Sequence, residues 1–281
     1  MSQSNHSFVI TGLTRNCEKS VAKSIEVLSR AFASAKSVSW LVVESDSDDN
    51  TVGELERLSK TIPGFAFRSL GRLRDKLPKR TERISHCRNQ AIEIIRNDPA
   101  YAQVDYVVLA DLDGINTILN EDAVNTCFER DDWDACLANQ AGPYYDMWAL
   151  RHPIWAPNDY WEYFYFLMSL GLPRYQALQR AIYSHAITIP RTAPWIEVHS
   201  GFGGLALYRK SLYVECHYEG LDAAGKEICE HVPFSSQLRA KGAHLYINPR
   251  LLNAAKTEYT NQWVWRWQIL KFYFGHLIGR C

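Results

Sequence analysis

The sequence of 281 residues predicts a single α/β domain in which helices flank a mixed, mainly parallel sheet. Tyr106 to Ala110 is a continuous apolar run, which is the pattern of a strand buried on both faces of a parallel sheet. Strand-like and helix-like segments alternate through the first half, as parallel strands joined by right-handed crossovers require. No internal repeat or low-complexity linker interrupts the chain, so we expect one continuous domain.

The elements of the first half are predicted from hydrophobic spacing and from residues that favour turns. Strands are expected at residues 8–12, 38–44 and 65–67, and a helix at residues 84–96 is expected before the central strand. Thr14 or Asn16 is the expected N-cap of the first helix, and Asp49 and Thr51 are expected to cap the second. A basic loop runs from residue 68 to residue 83, and we expect its side chains to lie in solvent.

The second half of the sequence has a less regular hydrophobic pattern, and its strands and helices are predicted from shorter segments. Strands are expected at residues 134–138, 205–208 and 245–249, and helices at residues 159–171 and 175–184 and after Glu230. Lys241 and Gly242 are expected to end the last of these helices, because a cation and a glycine favour a helix C-terminus. Trp263, Trp267 and their neighbours form an apolar stripe that predicts a C-terminal aromatic helix.

The composition indicates which function classes and which cellular compartment to expect. Lys and Arg number 31, as do Asp and Glu, so the formal net charge is zero and a general nucleic-acid binder is not expected. The seven cysteines form no Cys-x-x-Cys pair, which favours a reducing compartment over a disulfide framework or structural zinc. The polar N-terminus and the lack of a long apolar run predict a soluble, cytoplasmic protein.

Two carboxylates follow the central strand directly. Asp111 and Asp113 are spaced i, i+2, so in an extended backbone they lie on the same side and can face one hard cation. Open α/β sheets place their sites at the carboxyl ends of the strands. The alternative is that Asp111 caps a turn, which Gly114 and Asn116 favour, and that Asp113 is solvated.

Five segments in order resemble the GT-A glycosyltransferases, over about residues 8 to 250. They are residues 44–51, Arg88-Asn89, Asp111-Leu112-Asp113, residues 144–151, and Cys229-Glu230-His231 with the helix that follows. Residues 144–151 also resemble the Tyr-Asp-x-Trp-x-x-Arg segment of the fungal capsule-associated mannosyltransferases. The resemblance implies a Rossmann-like GT-A domain, with a nucleotide-sugar-binding half at residues 1–116 and an acceptor-binding half at residues 117–281.

The resemblance also implies where the donor and a divalent cation, Mn²⁺ or Mg²⁺, would bind. Asp113 is the expected direct metal ligand, and Asp111 would bind the metal through water or hold the ribose. Arg88 would approach the phosphates or the base, although a surface helix cation is an equal alternative. The basic loop is expected to stay solvated or to close over the diphosphate as a lid. The remaining donor-binding candidates are Thr11, Gly12, Arg15 and Glu44.

The catalytic candidates are Glu230 and His231. Either side chain can accept the proton of an acceptor hydroxyl, and His231, which replaces the second acid of the family pattern, is also a candidate third metal ligand. If Glu230 is the base, the reaction inverts the anomeric centre; if neither residue faces the acceptor, retention is expected. The acceptor candidates are Tyr145, Asp146, Trp148, Arg151 and Gly203. The alternatives are core packing for the two aromatic residues, an ion pair for Asp146 and Arg151, and a turn for the glycine.

The sequence therefore predicts a metal-dependent glycosyltransferase that moves a sugar from a nucleotide diphosphate sugar to a glycan hydroxyl. A sugar nucleotidyltransferase is one alternative, but residues 12–15 lack the glycine-rich loop expected after its first strand. A non-catalytic nucleotide- or sugar-binding module is the other. The C-terminal aromatic helix is compatible with packing, with a contact in a homo-oligomer, or with a peripheral membrane contact near a lipid-linked acceptor.

Overall fold

The computed structural model describes residues 2–255, and their eight strands form one sheet. The strands are β1 (Ser7–Thr14), β2 (Ser37–Glu44), β3 (Phe65–Ser69), β4 (Tyr106–Ala110), β5 (Ala135–Gln140), β6 (Ile196–Glu197), β7 (Leu205–Arg209) and β8 (Leu245–Ala254). Their order across the sheet is β3-β2-β1-β4-β7-β5-β8-β6. The central strand β4 has the bounds that its apolar run predicts, and all five of its residues are buried.

The sheet is mixed and mainly parallel, which confirms the predicted fold class. Strands β1, β2, β3 and β4 pair in parallel, and so do β5 and β8. Strand β7 lies between β4 and β5 and is antiparallel to both, while the short β6 pairs antiparallel with β8. The carboxyl ends of β1, β4 and β5 therefore meet the amino end of β7 at one edge of the sheet.

Helices cover both faces of the sheet. They are α1 (Val21–Ala31), α2 (Thr51–Thr61), α3 (Arg80–Asn97), α4 (Glu121–Asn125), α5 (Tyr160–Ser169), α6 (Arg174–Leu178), α7 (Lys210–Tyr213) and α8 (His231–Ala240). Alternate residues of β4 serve two cores: Val108 packs in the cluster that holds α1 and α2, and Val107 packs in the cluster that holds α3 and α8. This alternation explains why the whole strand is apolar.

Several predicted boundaries differ from the structure. The predicted N-caps of α1 are wrong: Ser20 occupies that position, because residues 15–19 form a turn in which the Cys17 carbonyl accepts from the backbone N–H groups of Ser20 and Val21. Helix α3 begins four residues before its predicted start, and the helix predicted at 175–184 divides into α6 and a π-helical turn, Gln179–Tyr183.

The predicted end of α8 is confirmed, since Gly242 follows the helix with a φ of +85°. At the start of α2 the N-cap is Asn50 and not Asp49 or Thr51, although the Asp49 carboxylate accepts from the backbone N–H of Thr51 at 3.0 Å. The predicted C-terminal aromatic helix lies outside the described residues. Within residues 2–255, no helix combines the length and the apolar character needed to cross a bilayer.

Candidate active site

A cavity of about 350 Å³ opens at the edge of the sheet where β1, β4 and β5 end. Its lining comes from the segments that follow these strands and from the starts of α3 and α8. Nine of the residues predicted from the sequence line it together: Arg15, Arg88, Asp111, Asp113, Tyr145, Asp146, Trp148, Glu230 and His231. The topology of a parallel sheet brings strand ends to one edge, and that is why residues distant in sequence share this cavity.

The two aspartates occupy the turn directly after β4. The backbone N–H of Asp111 donates to the Gly204 carbonyl at 3.0 Å, so the turn is tied to the segment that precedes β7. Asp111 is half-buried and Asp113 is exposed. Burial raises the pKa of Asp111 to about 7; the charge of Arg88 lowers it, whereas Asp113 and the other nearby carboxylates raise it further.

Three buried amide side chains fix the backbone around Asp111. Asn116 donates to the Asp111 carbonyl at 2.8 Å, and Asn253 donates to the side-chain oxygen of Asn116 at 2.9 Å and to the Gly203 carbonyl at 2.7 Å. Gln140 donates to the same Gly203 carbonyl at 3.1 Å. Sequence reasoning named Asn116 only as a turn residue and missed Asn253 and Gln140, because an isolated amide has no spacing or pattern that marks it as part of a network.

Arg88, Glu230 and His231 form a second, buried group. The Arg88 Nε donates to Glu230 Oε1 at 3.1 Å, and its Nη2 lies 3.2 Å from His231 Nε2. Because a guanidinium only donates, His231 Nε2 accepts and its proton is on Nδ1. The His231 ring stacks on Phe202 with centroids 4.3 Å apart, and Arg88 also lies over the Tyr218 ring. The alternative of Arg88 as a surface cation is wrong, since only 6% of it is exposed.

Burial and pairing set the charge of this group. Burial, with the charge of Arg88 in addition, lowers the pKa of His231 to about 3, so its imidazole is neutral at physiological pH. Burial alone would raise the pKa of Glu230, but the charge of Arg88 and its hydrogen bond to the carboxylate lower it. Arg88 engages both residues, but the Glu230 carboxylate is ionised and has a second oxygen that can accept a proton, whereas neutral His231 has a single acceptor nitrogen and Arg88 occupies it.

Three of the donor-binding candidates lie outside the cavity. Thr11 is buried within β1, and Gly12 faces β4 so closely that a Cβ would lie 2.3 Å from the Ala110 carbonyl oxygen. Glu44 is buried and accepts from the Ser69 hydroxyl at 2.5 Å. These contacts give all three residues a role in packing or in joining strands, and their donor-binding roles stay predictions.

Two of the acceptor candidates also lie outside the cavity. Arg151 pairs with Asp159 at 3.1 Å and donates to the Trp148 carbonyl at 2.9 Å, so the ion pair it forms is with Asp159 and not with Asp146. The backbone N–H of Gly203 donates to Asp146 Oδ2 at 3.1 Å. Burial raises the pKa of Asp146, and this hydrogen bond partly opposes the rise. Arg151 and Gly203 thus hold the segment that presents Trp148 and Asp146.

Two arginines that the sequence reasoning did not single out line the cavity as well. Arg80 is exposed in the first turn of α3, and Arg83 donates from Nη1 to the carbonyls of Leu77 and Pro78 at 2.7 Å. With Arg15 they give the cavity three guanidinium groups besides Arg88. Their signal in the sequence was the density of cations at residues 68–83. Most basic side chains of that loop are exposed, as expected, but Arg74 and Arg83 are partly buried and pair with Asp48 at 2.8 Å and Asp46 at 3.5 Å.

The carboxylates fit a divalent cation that shares its coordination with a substrate. Among residues 2–255, no three His, Cys, Asp or Glu side chains are grouped so as to hold a metal by themselves. Asp111 and Asp113 offer two carboxylates, and Mg²⁺-type ions are commonly held by one or two carboxylates together with substrate phosphates. Their mutual repulsion contributes to the raised pKa of Asp111, and a bound cation would relieve it.

No known protein-family model matches the sequence, and no curated protein matches it. Among solved structures, the mannosyltransferase PcManGT from Pyrobaculum calidifontis, determined with GDP-Man and Mn²⁺, is similar with a TM-score of 0.52 and 14% identity over 99% of this chain. The fold is GT-A. TarS from S. aureus is similar with a TM-score of 0.50 and 14% identity over 89% of this chain.

These matches support the GT-A fold and nothing finer. The chain spans 66% of the length of the mannosyltransferase and 36% of that of TarS. The expected GT-A architecture is confirmed, but the resemblance of residues 144–151 to the fungal capsule-associated mannosyltransferases is not confirmed. The activity therefore has to be argued from the cavity.

Proposed function

We propose that this GT-A domain is a metal-dependent glycosyltransferase that moves a sugar from a nucleotide diphosphate sugar to a glycan hydroxyl. One observation carries the proposal: a single cavity combines the paired aspartates after β4, a set of arginines and the ionised Glu230. The aspartates would hold a cation that binds anionic phosphates together with the arginines. Glu230 can accept the proton of an acceptor hydroxyl.

The donor half of the proposal rests on charge. Arg15, Arg80 and Arg83 suit a diphosphate, since one guanidinium group can donate two parallel hydrogen bonds to phosphate oxygens. Asp111 and Asp113 would hold Mn²⁺ or Mg²⁺, which supplies positive charge against the leaving diphosphate. The similar mannosyltransferase was solved with GDP-Man and Mn²⁺, which is consistent with this arrangement. The nucleoside would then lie over the ends of β1 and β2, and Thr11, Gly12 and Glu44 would act from behind the cavity wall by holding these strand ends in place.

The acceptor half rests on Glu230. As the acceptor oxygen bonds to the anomeric carbon, its proton passes to the Glu230 carboxylate and the nucleoside diphosphate leaves. Such a direct displacement inverts the anomeric centre. The NMR coupling of the new anomeric proton tests this role: inversion is expected, and retention would limit Glu230 to holding Arg88 in place.

The first experiment is a panel of UDP-, GDP- and dTDP-sugars, scored for nucleotide release with Mn²⁺ and with chelator. We expect metal-dependent release from one donor, and a loss of about 100-fold in Asp113→Ala, because a metal contributes several kcal/mol to such a step. Asp131→Ala, which removes an exposed carboxylate far from the cavity lining, is the matched control and should leave release unchanged. No binding of any donor would contradict the proposal.

The same assay separates the alternatives. A nucleotidyltransferase would instead consume a nucleoside triphosphate and a sugar 1-phosphate and release pyrophosphate, and a binding module would bind nucleotide without turnover under any acceptor. A cytoplasmic location, a peripheral membrane contact through the C-terminal segment and a homo-oligomer stay predictions. Flotation with anionic vesicles and the mass measured by light scattering test the last two.

A further inference from the structure

A second cavity, of about 290 Å³, adjoins the first. Trp148 lines both, so the two spaces are neighbours across one indole ring. The second cavity is otherwise lined by the first turns of α5 and by the segment around residues 226–228. Neither the sequence motifs nor the site described above accounts for it.

Two aromatic rings of α5 face this cavity. Trp161 and Tyr165 are four residues apart and so lie on the same side of the helix. Both pack edge-on against the buried Phe164, with ring centroids 5.4 and 5.1 Å apart. Tyr165 is nonetheless 61% exposed. These rings therefore form a supported surface that remains accessible, which is the arrangement that binding aromatics require.

Charged side chains surround the rings and are held in place. Glu162 of α5 pairs with Lys226 at 2.9 Å across the cavity, and Asp159 pairs with Arg151 at 3.1 Å. The Glu227 carboxylate, also in the lining, accepts from the backbone N–H of Thr81 at 2.9 Å. Carboxylate oxygens accept from hydroxyl groups, and the Lys226 ammonium donates to them.

This combination fits a saccharide. The apolar C–H face of a sugar ring stacks on an indole or phenol ring, while its hydroxyls need fixed donors and acceptors around the edge. A nucleotide phosphate finds no free cation among the described residues of this lining, because Lys226 is their one basic residue and already pairs with Glu162. The cavity volume is at the lower end of the range for small-ligand sites, which suits one or two sugar units.

We propose that this second cavity is an acceptor subsite, in which Trp161 and Tyr165 bind an inner sugar of an oligosaccharide whose terminal hydroxyl reaches the first cavity past Trp148. The inference rests on the proposed glycosyltransferase function and makes it more specific. Acceptors of two or more sugars would then bind more tightly than single sugars, because only they fill both cavities.

The test is an array of neutral, acidic and amino-sugar oligosaccharides of two to six units, probed with the full chain in the presence of UDP or GDP and Mn²⁺. We expect binding that weakens about tenfold in Trp161→Ala and in Tyr165→Ala, which is the cost of losing one aromatic anchor. Tyr163→Ala is the matched control. It removes an exposed aromatic from the same helix, one that stacks on Phe166 outside the cavity, and should bind like wild type.

The outcomes distinguish the subsite from the transferase. Nucleotide binding is measured by calorimetry on the same samples, which also shows that each variant is folded. A protein that binds nucleotide but no oligosaccharide on the array overturns the subsite, as does equal binding by Tyr163→Ala and Tyr165→Ala. A protein that binds oligosaccharides through Tyr165 but binds no nucleotide overturns the transferase proposal and keeps the sugar site.

Discussion

Two parts of the cavity wall are held in place in different ways. The strand-end wall consists of Arg15, Asp111 and Asp113, which follow β1 and β4 directly. The buried cluster consists of Arg88, Glu230 and His231, which come from α3 and from the start of α8 and bond to one another. Backbone hydrogen bonds of the sheet, with the buried amide network, position the first group, whereas the members of the second group position one another.

This difference assigns separate tasks to the two groups. In the strand-end wall Arg15 and Asp113 are exposed and Asp111 is half-buried, so these side chains can bind a ligand with little effect on folding. The buried cluster already satisfies its charges internally, and removing one member leaves another charged and enclosed. Substitutions in the buried cluster should therefore reduce the free energy of unfolding. In the strand-end wall, we expect a loss of stability mainly from substitutions that displace the backbone.

The most severe expected effect comes from breaking the cluster. Arg88→Ala leaves the Glu230 carboxylate buried without its cation, and we expect a loss of about 3–5 kcal/mol in the free energy of unfolding, measured by urea titration. Adding Glu230→Gln should recover part of this loss, because no buried charge then remains. Arg30→Ala, which breaks an exposed pair with Glu26 on α1, should cost about 1 kcal/mol or less. Equal losses in the two single variants would contradict the distinction.

A substitution at Gly12 tests whether the backbone of β1 and β4 positions the strand-end wall. In Gly12→Ala the new methyl group would meet the Ala110 carbonyl oxygen at 2.3 Å, and β1 and β4 would have to separate next to Asp111. We expect a loss of about 1–3 kcal/mol in stability, together with weaker nucleotide binding. Gly53→Ala is the matched control. Its methyl group meets only the side chain of Asn50, and alanine favours a helix such as α2, so stability should be unchanged or higher. Equal destabilisation by both would show that strand spacing is not the cause.

The smallest expected effect is a pH dependence of stability that the buried His231 causes. The pKa of His231 is lowered to about 3 in the folded protein, whereas in the unfolded chain it is near 6.5, so only the unfolded chain takes up a proton as the pH falls below 6.5. Asp111, whose pKa is raised to about 7, takes up a proton only in the folded protein over the same range and therefore opposes this effect. The measurement is the stability of wild type relative to His231→Phe in chelator, and this difference should fall by about 1 kcal/mol per pH unit between pH 6.5 and 5. The difference between wild type and His244→Phe, at an exposed histidine, should stay constant, and a constant difference for His231→Phe would contradict a buried neutral imidazole.

Much of the strand-end wall could be predicted because its signals are local. A continuous apolar run specified β4, and two carboxylates after it specified the turn at the sheet edge. The amide network was not predictable, since Asn116 and Asn253 are 137 residues apart and meet only when β8 is placed in the sheet. The position of β7, antiparallel between β4 and β5, also has no counterpart in the sequence pattern.

By itself, then, the sequence determined the fold class, the central strand and the acids at its end, because hydrophobic periodicity and turn residues act over a few neighbouring positions. The tertiary structure alone decided that Arg88 is buried rather than exposed, that it pairs with Glu230 over 142 residues of chain, and that Trp148 separates two cavities. Such contacts depend on how distant segments pack against one another. A charged residue carries no local mark of the partner it will find.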